Sequence, residues 1–475
     1  MAQSPSLSPA AAAAIAAHRF GLGEPSLDGL GADPRGWLAA QIGPADPALG
    51  EGLLDTAQAV ALVHAEATAR RAARMDTKAA EGGAAAADLA GHYRETILAD
   101  TRSRLLTAAQ TRRPFAERLQ LFWCNHFAVS VAKGSTRGLV GAFERDAIRP
   151  NIAGPFEALL WASTTHPAML RYLDNHLSAG PRSRIVARAA RRAAMNGEGP
   201  RVTGLNENLA REVLELHTLG VDGGYGQPDV TAFAALLTGW RIANAPGGDA
   251  TATHPFDAAW HEPGRKTVLG RTYPEGPQAL RQLLGDLAQH PSTARFLATK
   301  LARHFVADDP PAALVDRLAA AYRRSGGQLG EVYRELLAAP EAWQPAPAKL
   351  KSPEEFVVSS ARLLSLADRP TPPKLLGASL GTGLLALGQR PQAPPSPAGW
   401  PDRAEDWLGP DAVWKRVEWA TRVGDRLGRQ VDARALARAS LGPRLGDATA
   451  QQIDRAADGA QALALLLMAP EFQRR

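Results

Sequence analysis

The chain has 475 residues, of which 45% are hydrophobic and 21% are charged, a composition typical of a large globular protein. Its formal net charge of +6 is weak support for a nucleic-acid partner, so none is expected. The single cysteine, Cys124, excludes an intrachain disulfide, and no apolar run approaches the roughly 18 residues that a transmembrane helix requires.

The N-terminal segment predicts a first helix and not a signal peptide. The alanine run 10–14 has no positive charge before it and is soon interrupted by His18 and Arg19. The sequence therefore favours a cytoplasmic location, and export together with a signal-bearing partner is the alternative.

Helix-forming composition continues along most of the chain. Segments 53–74 and 84–110 are rich in Ala, Leu, Glu and Arg. Proline in a first turn marks further helix starts at His166-Pro167, Gln227-Pro228, His290-Pro291 and Asp309-Pro310-Pro311. No strand-like alternation is long enough for a sheet of any size. The predicted fold class is all-α, a large multi-helix globular fold with irregular loop insertions and a C-terminal helical lobe.

Three stretches interrupt this helical pattern. Residues 178–202 carry six arginines and almost no acids, and are interpreted as a basic, flexible insertion: a solvated loop with a short helix, or a mobile lid that orders on an anionic ligand. Residues 243–276 form an irregular loop. Residues 344–351 and 369–401 are rich in proline and predict connectors. The predicted division is a main body, 1–345, and a connector with a C-terminal lobe, 346–475, packed on the same domain.

The segment 204–220 is the richest in polar side chains. At roughly 100° per residue, Glu207, Asn208, Arg211, Glu212 and Glu215 fall within one arc of a helix. The opposite arc holds Leu209, Ala210, Val213, Leu214 and Leu216. Either the polar arc is a solvated face with i,i+4 ion pairs, or its carboxylates face a cleft and bind a cation or transfer protons.

Two further features of this segment lead to predictions. Asn206 is placed as the N-cap and Gly220 as the C-cap. His217 projects from the apolar arc, which predicts a neutral, buried, hydrogen-bonded structural residue. Asp174-Asn175 closes one helix and Asn206-Glu207-Asn208 opens another, so the two ends are expected to meet once the insertion loops out.

Other polar and aromatic clusters accompany this helix in a fixed order. They are Phe122–Phe127, His166–Asn175, Val221–Tyr225, Leu237–Trp240, His261–Lys266, His290–Phe296, Val306–Pro310 and Gly399–Asp402. Together the motifs closely resemble the bacterial family called domain of unknown function 1800, from Arg19 to Trp407. The chain departs from that family at Cys124, where a second histidine is usual, which argues against a paired-histidine metal site.

The resemblance implies a predominantly helical protein without implying an activity. Genes of the family commonly lie beside those of an exported family, domain of unknown function 1501, so it also implies a protein partner from that family. A short local similarity to animal haem peroxidases is carried by 206–208 and 216–219, and gives a weaker oxidoreductase alternative.

The sequence supports two classes of function. In the first, the protein is a hydrolase-type or metal-assisted enzyme with a polar cleft floored by residues 206–219. The predicted catalytic residues are Glu207, Glu212, Asp174, His126 and His261. The predicted substrate or anion contacts are Arg211, Asn175, Asn208, Trp240 and Lys266. A divalent cation is assigned to Asp174, Glu207 and Glu212.

In the second class, the protein is a non-catalytic partner or assembly factor for an exported protein, and the polar motifs are hydrogen-bond networks that fix helix packing. Geometry discriminates the two classes. An enzyme requires at least three of the predicted side chains in one solvent-reachable cavity, whereas structural networks are dispersed and satisfied.

Overall fold

Helices make up most of the computed structural model, which describes residues 7–75, 80–196, 204–242 and 256–475. The N-terminal helices are α1 Pro9–Ile15, α2 Pro34–Ala39, α3 Thr56–Met75, α4 Ala80–Gln110, α5 Pro114–His126, α6 Val140–Ala142, α7 Phe156–Thr165 and α8 Pro167–Tyr172. The central helices are α9 Arg184–Asn196, α10 Asn208–Glu212, α11 Gln227–Leu237, α12 Pro277–Gln289, α13 Pro291–Phe305, α14 Ala312–Arg324 and α15 Leu329–Ala338.

The C-terminal helices are α16 Pro353–Leu363, α17 Pro373–Ala386, α18 Pro410–Leu427, α19 Ala433–Leu441, α20 Asp447–Asp454, α21 Gly459–Met468 and α22 Pro470–Gln473. Segments of π-helix are Ala16–Phe20, Phe143–Ile148 and Val213–Thr218. Short 3₁₀ turns are Asp28–Leu30, Gly134–Thr136, Arg149–Asn151, Asn175–Leu177, Pro340–Trp343, Leu366–Asp368, Ala404–Trp407 and Gly442–Arg444. The strands in the described residues are β1 Lys266–Val268 and β2 Arg271–Tyr273, an antiparallel pair. The all-α prediction is confirmed.

The helix starts predicted at His166-Pro167, Gln227-Pro228 and His290-Pro291 are confirmed, whereas α14 begins at Ala312, after Pro310 and Pro311. The two His-Pro starts have a local cause. The ring Nδ1 of His166 accepts a hydrogen bond from the backbone N–H of Ala168 at 3.1 Å, and His290 accepts from Ser292 at 3.2 Å. In both cases histidine caps the helix and proline occupies its first turn, where a missing N–H costs nothing. Both His-Pro pairs therefore form helix N-termini in this fold.

Buried apolar side chains form two clusters. The first is drawn from residues 13–343 and includes Phe20, Phe115, Trp123, Phe305 and Tyr333. The second joins Leu22 and residues 105–109 of α4 to the helices after residue 355. Helices α4 and α5, which follow one another, therefore bring the two clusters together.

Parts of the predicted insertion and connector are regular helix. Helix α9 occupies 184–196 of the basic insertion and most of its arginines are exposed, which agrees with the solvated alternative. Residues 197–203 lie outside the described chain, and the mobility of the insertion stays a prediction. Within the proline-rich stretch 369–401, the sequence did not predict α17, because its glycines interrupt the apolar pattern. Leu376, Leu380 and Leu384 are buried on one face of this helix.

Candidate active site

The two helix ends that were expected to meet do meet. The backbone N–H of Asn206 donates to Ser178 Oγ at 3.0 Å, and the N–H of Ala179 donates to the carbonyl of Gly204 at 3.4 Å. Burial, and then the charge of Glu212, raises the pKa of Tyr172, so the end of α8 also lies near that carboxylate. The segment that follows Asp174-Asn175 therefore meets the segment that opens α10, as predicted.

Helix α10 begins one residue later than predicted and ends in a π-turn. Glu207 occupies the N-cap position, while the Asn206 side chain accepts from the N–H of Asn208 at 2.9 Å. After Glu212 the chain continues as the π-helix Val213–Thr218, in which Thr218 Oγ donates to the Val213 carbonyl at 2.6 Å. A π-helix has more residues per turn than an α-helix, so the side chains after Glu212 do not follow the assumed spacing of 100° per residue.

The carboxylate of Glu207 is bound by neighbouring side chains at the surface. It accepts from Thr231 Oγ and Gln227 Nε2, both at 2.7 Å, and from Arg211 at 3.2 Å. The hydrogen bonds from Thr231 and Gln227 lower its pKa. Arg211 also bonds Gln227 at 2.8 Å, and Asn208 is exposed. This is the solvated, ion-paired arrangement that the structural interpretation expected.

The described geometry gives no support for the cation site predicted for Asp174, Glu207 and Glu212. Asp174, in a left-handed conformation, makes an ion pair with Lys133 at 2.7 Å. Burial, and then the charge of Glu215, raises the pKa of Glu212. Among the described residues, no three His, Cys, Asp or Glu side chains are grouped so that they could hold a metal ion. Asp174 and Glu207 each have protein partners, and a cation bound by these three carboxylates stays a prediction.

Other predicted site residues form a buried network at the end of α11. Asn175 Nδ2 donates to the carbonyls of Leu237 and Trp240 at 3.2 and 3.1 Å. His261 Nδ1 lies 2.7 Å from the carbonyl of Thr238, and its Nε2 lies 3.1 Å from Lys266 Nζ. The Trp240 ring packs edge-on to Trp161. These hydrogen bonds hold the turn 237–240 against the segment that leads into β1. This arrangement favours a structural role for Asn175, His261 and Lys266.

His217 is buried as predicted, but its expected hydrogen bond is absent. Neither ring nitrogen has a partner among the described residues, and burial lowers the pKa of His217 to about 3. Its backbone carbonyl instead lies 3.1 Å from Nε2 of His126, whose ring centroid is 6.0 Å from that of His217. Both imidazoles are therefore neutral at pH 7.

His126 is also the one predicted site residue that lines a cavity between the two apolar clusters. This junction cavity encloses about 340 Å³, within the usual range of about 300–1,000 Å³ for small-molecule sites. Helices α5, α13 and α16 supply its walls, and the segment 389–406 closes it. Its chemistry-bearing lining residues include Arg118, Cys124, His126, Lys300, Arg303, His304, Glu355 and Asp402.

One wall of the junction cavity is fixed by a reciprocal clamp between two of the sequence motifs. Asn125 Nδ2 donates to the carbonyl of Trp400 at 2.9 Å, and the N–H of Trp400 donates back to Asn125 Oδ1 at 2.7 Å. Gly399 has φ +87°, and a Cβ there would lie 2.4 Å from the Asn125 carbonyl oxygen. Only glycine allows this approach, so Asn125 and Gly399 together position Asp402.

Asp402 is held as a carboxylate at the cavity wall. Its Oδ1 lies 3.4 Å from Lys349 Nζ and its Oδ2 lies 3.4 Å from His304 Nδ1. Burial opposes ionisation, but these neighbours outweigh it and hold the pKa of Asp402 at about 2. Burial lowers the pKa of His304. His304, Lys349 and Arg475 together favour the charged form of Asp402.

Lys300 is the one lysine among the described lining residues of the junction cavity. Burial lowers its pKa to about 8, Asp402 opposes that effect and Arg303 adds to it. Its Nζ makes no hydrogen bond or ion pair with any described residue, and lies 5.6 Å from the Phe296 ring centroid. At pH 7 about a tenth of the amine is therefore neutral. A desolvated lysine of this kind can act as a nucleophile or a base.

The opposite end of the junction cavity is occupied by satisfied ion pairs. Arg104 bonds Glu354 and Glu144 at 2.5 and 2.6 Å. Cys124 Sγ accepts from Gln120 Nε2 at 2.9 Å, and burial raises the pKa of its thiol, so the thiolate is disfavoured. The charged residues at this end are therefore paired with each other. The positive charges of the junction cavity that have no ion pair among the described residues include Lys300 and Arg303.

Sequence reasoning assigned no chemistry to Lys300, His304 or Asp402. One signal was present, since Lys300 and His304 are four residues apart on the amphipathic helix α13 and share a face. A second was the Gly399–Asp402 motif, which contributed to the family resemblance without a role. Nothing local indicates that this face of α13 meets Asp402 across about a hundred residues.

Comparison with known proteins agrees with the motif analysis. No curated protein and no solved structure matches the chain. Within the described residues, no helix combines the length and apolar composition needed to cross a membrane. The family described as "Protein of unknown function (DUF1800)" matches residues 15–474. The chain therefore belongs to the DUF1800 family.

Proposed function

We propose that this protein is an enzyme that acts on a small anionic carbonyl compound, with the amine of Lys300 as its nucleophile. The observation that carries the proposal is the unpartnered Lys300 Nζ, with a pKa of about 8, in a cavity of about 340 Å³. Perturbed ionisable groups in cavities of this size are frequent at active sites.

The charge of the junction cavity supports an anionic substrate. Its carboxylates Glu144, Glu354 and Glu355 are paired with arginines, and Asp402 contacts Lys349. Arg303 donates only to the carbonyl of Asp308, and Arg390 makes no side-chain ion pair among the described residues. Asp406, at the exposed rim, is the one lining acid without an ion pair in that part of the chain. The uncommitted charge is therefore mainly positive.

The reaction begins with the neutral form of the amine. The nitrogen lone pair of Lys300 forms a bond to the carbonyl carbon, and the carbonyl π electrons move to oxygen, which takes a proton from solvent. A proton then passes from the nitrogen to the new hydroxyl group. Loss of water from this carbinolamine gives a protonated imine. The charge of Asp402, which already raises the pKa of Lys300, stabilises that cation.

Reductive trapping tests the proposal. The full chain is incubated with pyruvate and cyanoborohydride, and the modified peptides are mapped by mass spectrometry. We expect a stable adduct on Lys300, with a pH dependence centred near 8, and weaker labelling by neutral acetone. Lys300→Met removes the adduct, whereas Lys374→Met, a change at a lysine outside the junction cavity, does not. Failure to label Lys300, or equal labelling of Lys374, refutes the proposal.

The functions expected from the sequence stay predictions. A hydrolase-type enzyme that uses Glu207 and Glu212 is supported by the raised pKa of Glu212 alone. The partner or assembly role with a protein of the 1501 family, and the haem peroxidase-like alternative, rest on the sequence resemblances already described.

A further inference from the structure

A second cavity lies in the C-terminal lobe, between α17 and α18 above α16. This α17–α18 groove encloses about 530 Å³. Its apolar lining includes Val357, Leu364, Leu376, Leu380, Trp419 and Val423. The hydroxyls of Ser360 and Thr382 donate to carbonyls of their own helices at 2.8 and 2.9 Å, so they add little polarity to the surface.

The charged residues of the α17–α18 groove are all arginines. Arg369, Arg422 and Arg426 line it, and no Asp or Glu is among its described lining residues. Arg369 donates to Gln430, just beyond the end of α18, at 2.9 Å, which places its guanidinium at the same end as Arg426. Arg422 pairs with Glu418 at 3.1 Å, while Arg426 makes no ion pair in the described chain. One end of an apolar groove is thus cationic.

The dimensions and charge of the groove suit a single alkyl chain with an anionic end. Its α17 wall extends from Leu375 to Ala386, about 16 Å along the helix axis. A ligand with one apolar chain and one anionic end matches the apolar lining and the arginines at one end of the groove. A single extended hydrocarbon chain is narrow enough to enter.

We propose that the α17–α18 groove binds a single-chain amphiphile with an anionic headgroup, specifically a long-chain carboxylate. The hydrocarbon chain lies against α16 between Trp419 and Leu380, and the carboxylate binds Arg426 and Arg369. Apolar burial provides most of the affinity, and the guanidinium contacts select the headgroup and its direction. The proposal concerns a different cavity from the Lys300 site and does not depend on it.

Titration calorimetry on the full chain tests the proposal, with sodium dodecanoate below its micelle concentration as the probe. We expect saturable binding of one molecule per chain, about tenfold weaker for decanoate because two methylenes are lost. Acetate, which lacks the chain, and dodecyl maltoside, which lacks the charge, bind at least tenfold more weakly. Arg426→Gln weakens dodecanoate binding about tenfold, whereas Arg429→Gln, an exposed control outside the groove, leaves it unchanged.

A second variant locates the site without altering charge. A Cβ at Gly383 would lie 2.8 Å from Trp419 Nε1, and both residues line the groove. Gly383→Ala therefore changes the shape of the lining and should lower dodecanoate affinity, while circular dichroism checks the fold. Equal affinity of wild type, Arg426→Gln and Gly383→Ala overturns the proposal, as does non-saturable uptake. Binding of an acidic amphipathic peptide without binding of dodecanoate also overturns it.

Discussion

The α10 surface and the junction cavity use the same residue types in opposite environments. On α10, Glu207 is bound by Arg211, Gln227 and Thr231 near solvent. In the cavity wall, Glu355 is buried between Arg118 and Arg475 and holds a pKa well below its usual value against the effect of burial. Near solvent, the loss of one charged residue changes the free energy of unfolding little. In the buried set, the loss of one charge leaves its partners uncompensated and is costly.

The largest expected effect comes from one substitution made in both regions. Glu355→Gln leaves Arg118 and Arg475 as uncompensated buried cations, and should lower the free energy of unfolding by about 3–5 kcal/mol. Glu207→Gln is the matched control and should change it by less than about 0.5 kcal/mol. Urea denaturation measures both.

The pH dependence of this pair has a defined sign. Because the folded pKa of Glu355 lies below its unfolded value of about 4.5, its stabilisation is complete above that pH and is lost as pH falls through the folded pKa. The difference between wild type and Glu355→Gln should therefore shrink in acid. Equal effects of the two substitutions at pH 7 would abolish the distinction between the regions.

The next effect concerns the clamp that closes the junction cavity. Gly399→Ala adds a Cβ at φ +87°, 2.4 Å from the Asn125 carbonyl oxygen, and should cost about 3 kcal/mol in unfolding free energy. Gly388 has a similar φ of +86° but its nearest neighbour, Lys415 Nζ, is 3.9 Å away. Gly388→Ala should therefore cost only about 1 kcal/mol. If the two changes prove equally costly in thermal denaturation, backbone strain and not the clamp determines the effect.

A smaller effect, of opposite sign, is expected at Lys300. Lys300→Met removes a desolvated charge and should raise stability at pH 7 by about 1–3 kcal/mol. Since the folded pKa of about 8 lies below the ordinary 10.5, the unfolded state binds more protons between these values. Wild-type stability then rises with pH across that range and the advantage of methionine declines. Lys415→Met, at an exposed ion pair, should show no gain, and a destabilised Lys300→Met would contradict the assignment.

The smallest effect is expected at His217, which lies between the two regions. His217→Ala leaves a void and should cost about 1–2 kcal/mol, whereas His217→Leu fills the space and loses no hydrogen bond, so it should be neutral or stabilising. The folded pKa of about 3 lies below the ordinary 6.5, so wild type loses stability as pH falls through this interval. His217→Leu should lose less. A leucine variant weaker than the alanine variant would indicate a partner for the imidazole.

Several features follow from the sequence alone because their causes are local. Helix starts at His166-Pro167 and His290-Pro291 depend on proline geometry and a neighbouring acceptor, and both are confirmed. The ion pairing of Glu207 with Arg211 follows from helical spacing. His217 is buried as predicted, although it lies in a π-helix that departs from that spacing. The ordered motifs were likewise sufficient to identify the family.

The proposed function depends on tertiary structure. Lys300 has the same side chain as a solvated lysine, and its pKa falls only because α5, α13 and the 399–402 segment exclude water around it. Asp402 comes near it through the Asn125 clamp, which joins residues 275 positions apart. Desolvation and charge proximity are properties of the packed chain, so no local pattern could distinguish Lys300 and Asp402 from the more numerous charges of the α10 surface.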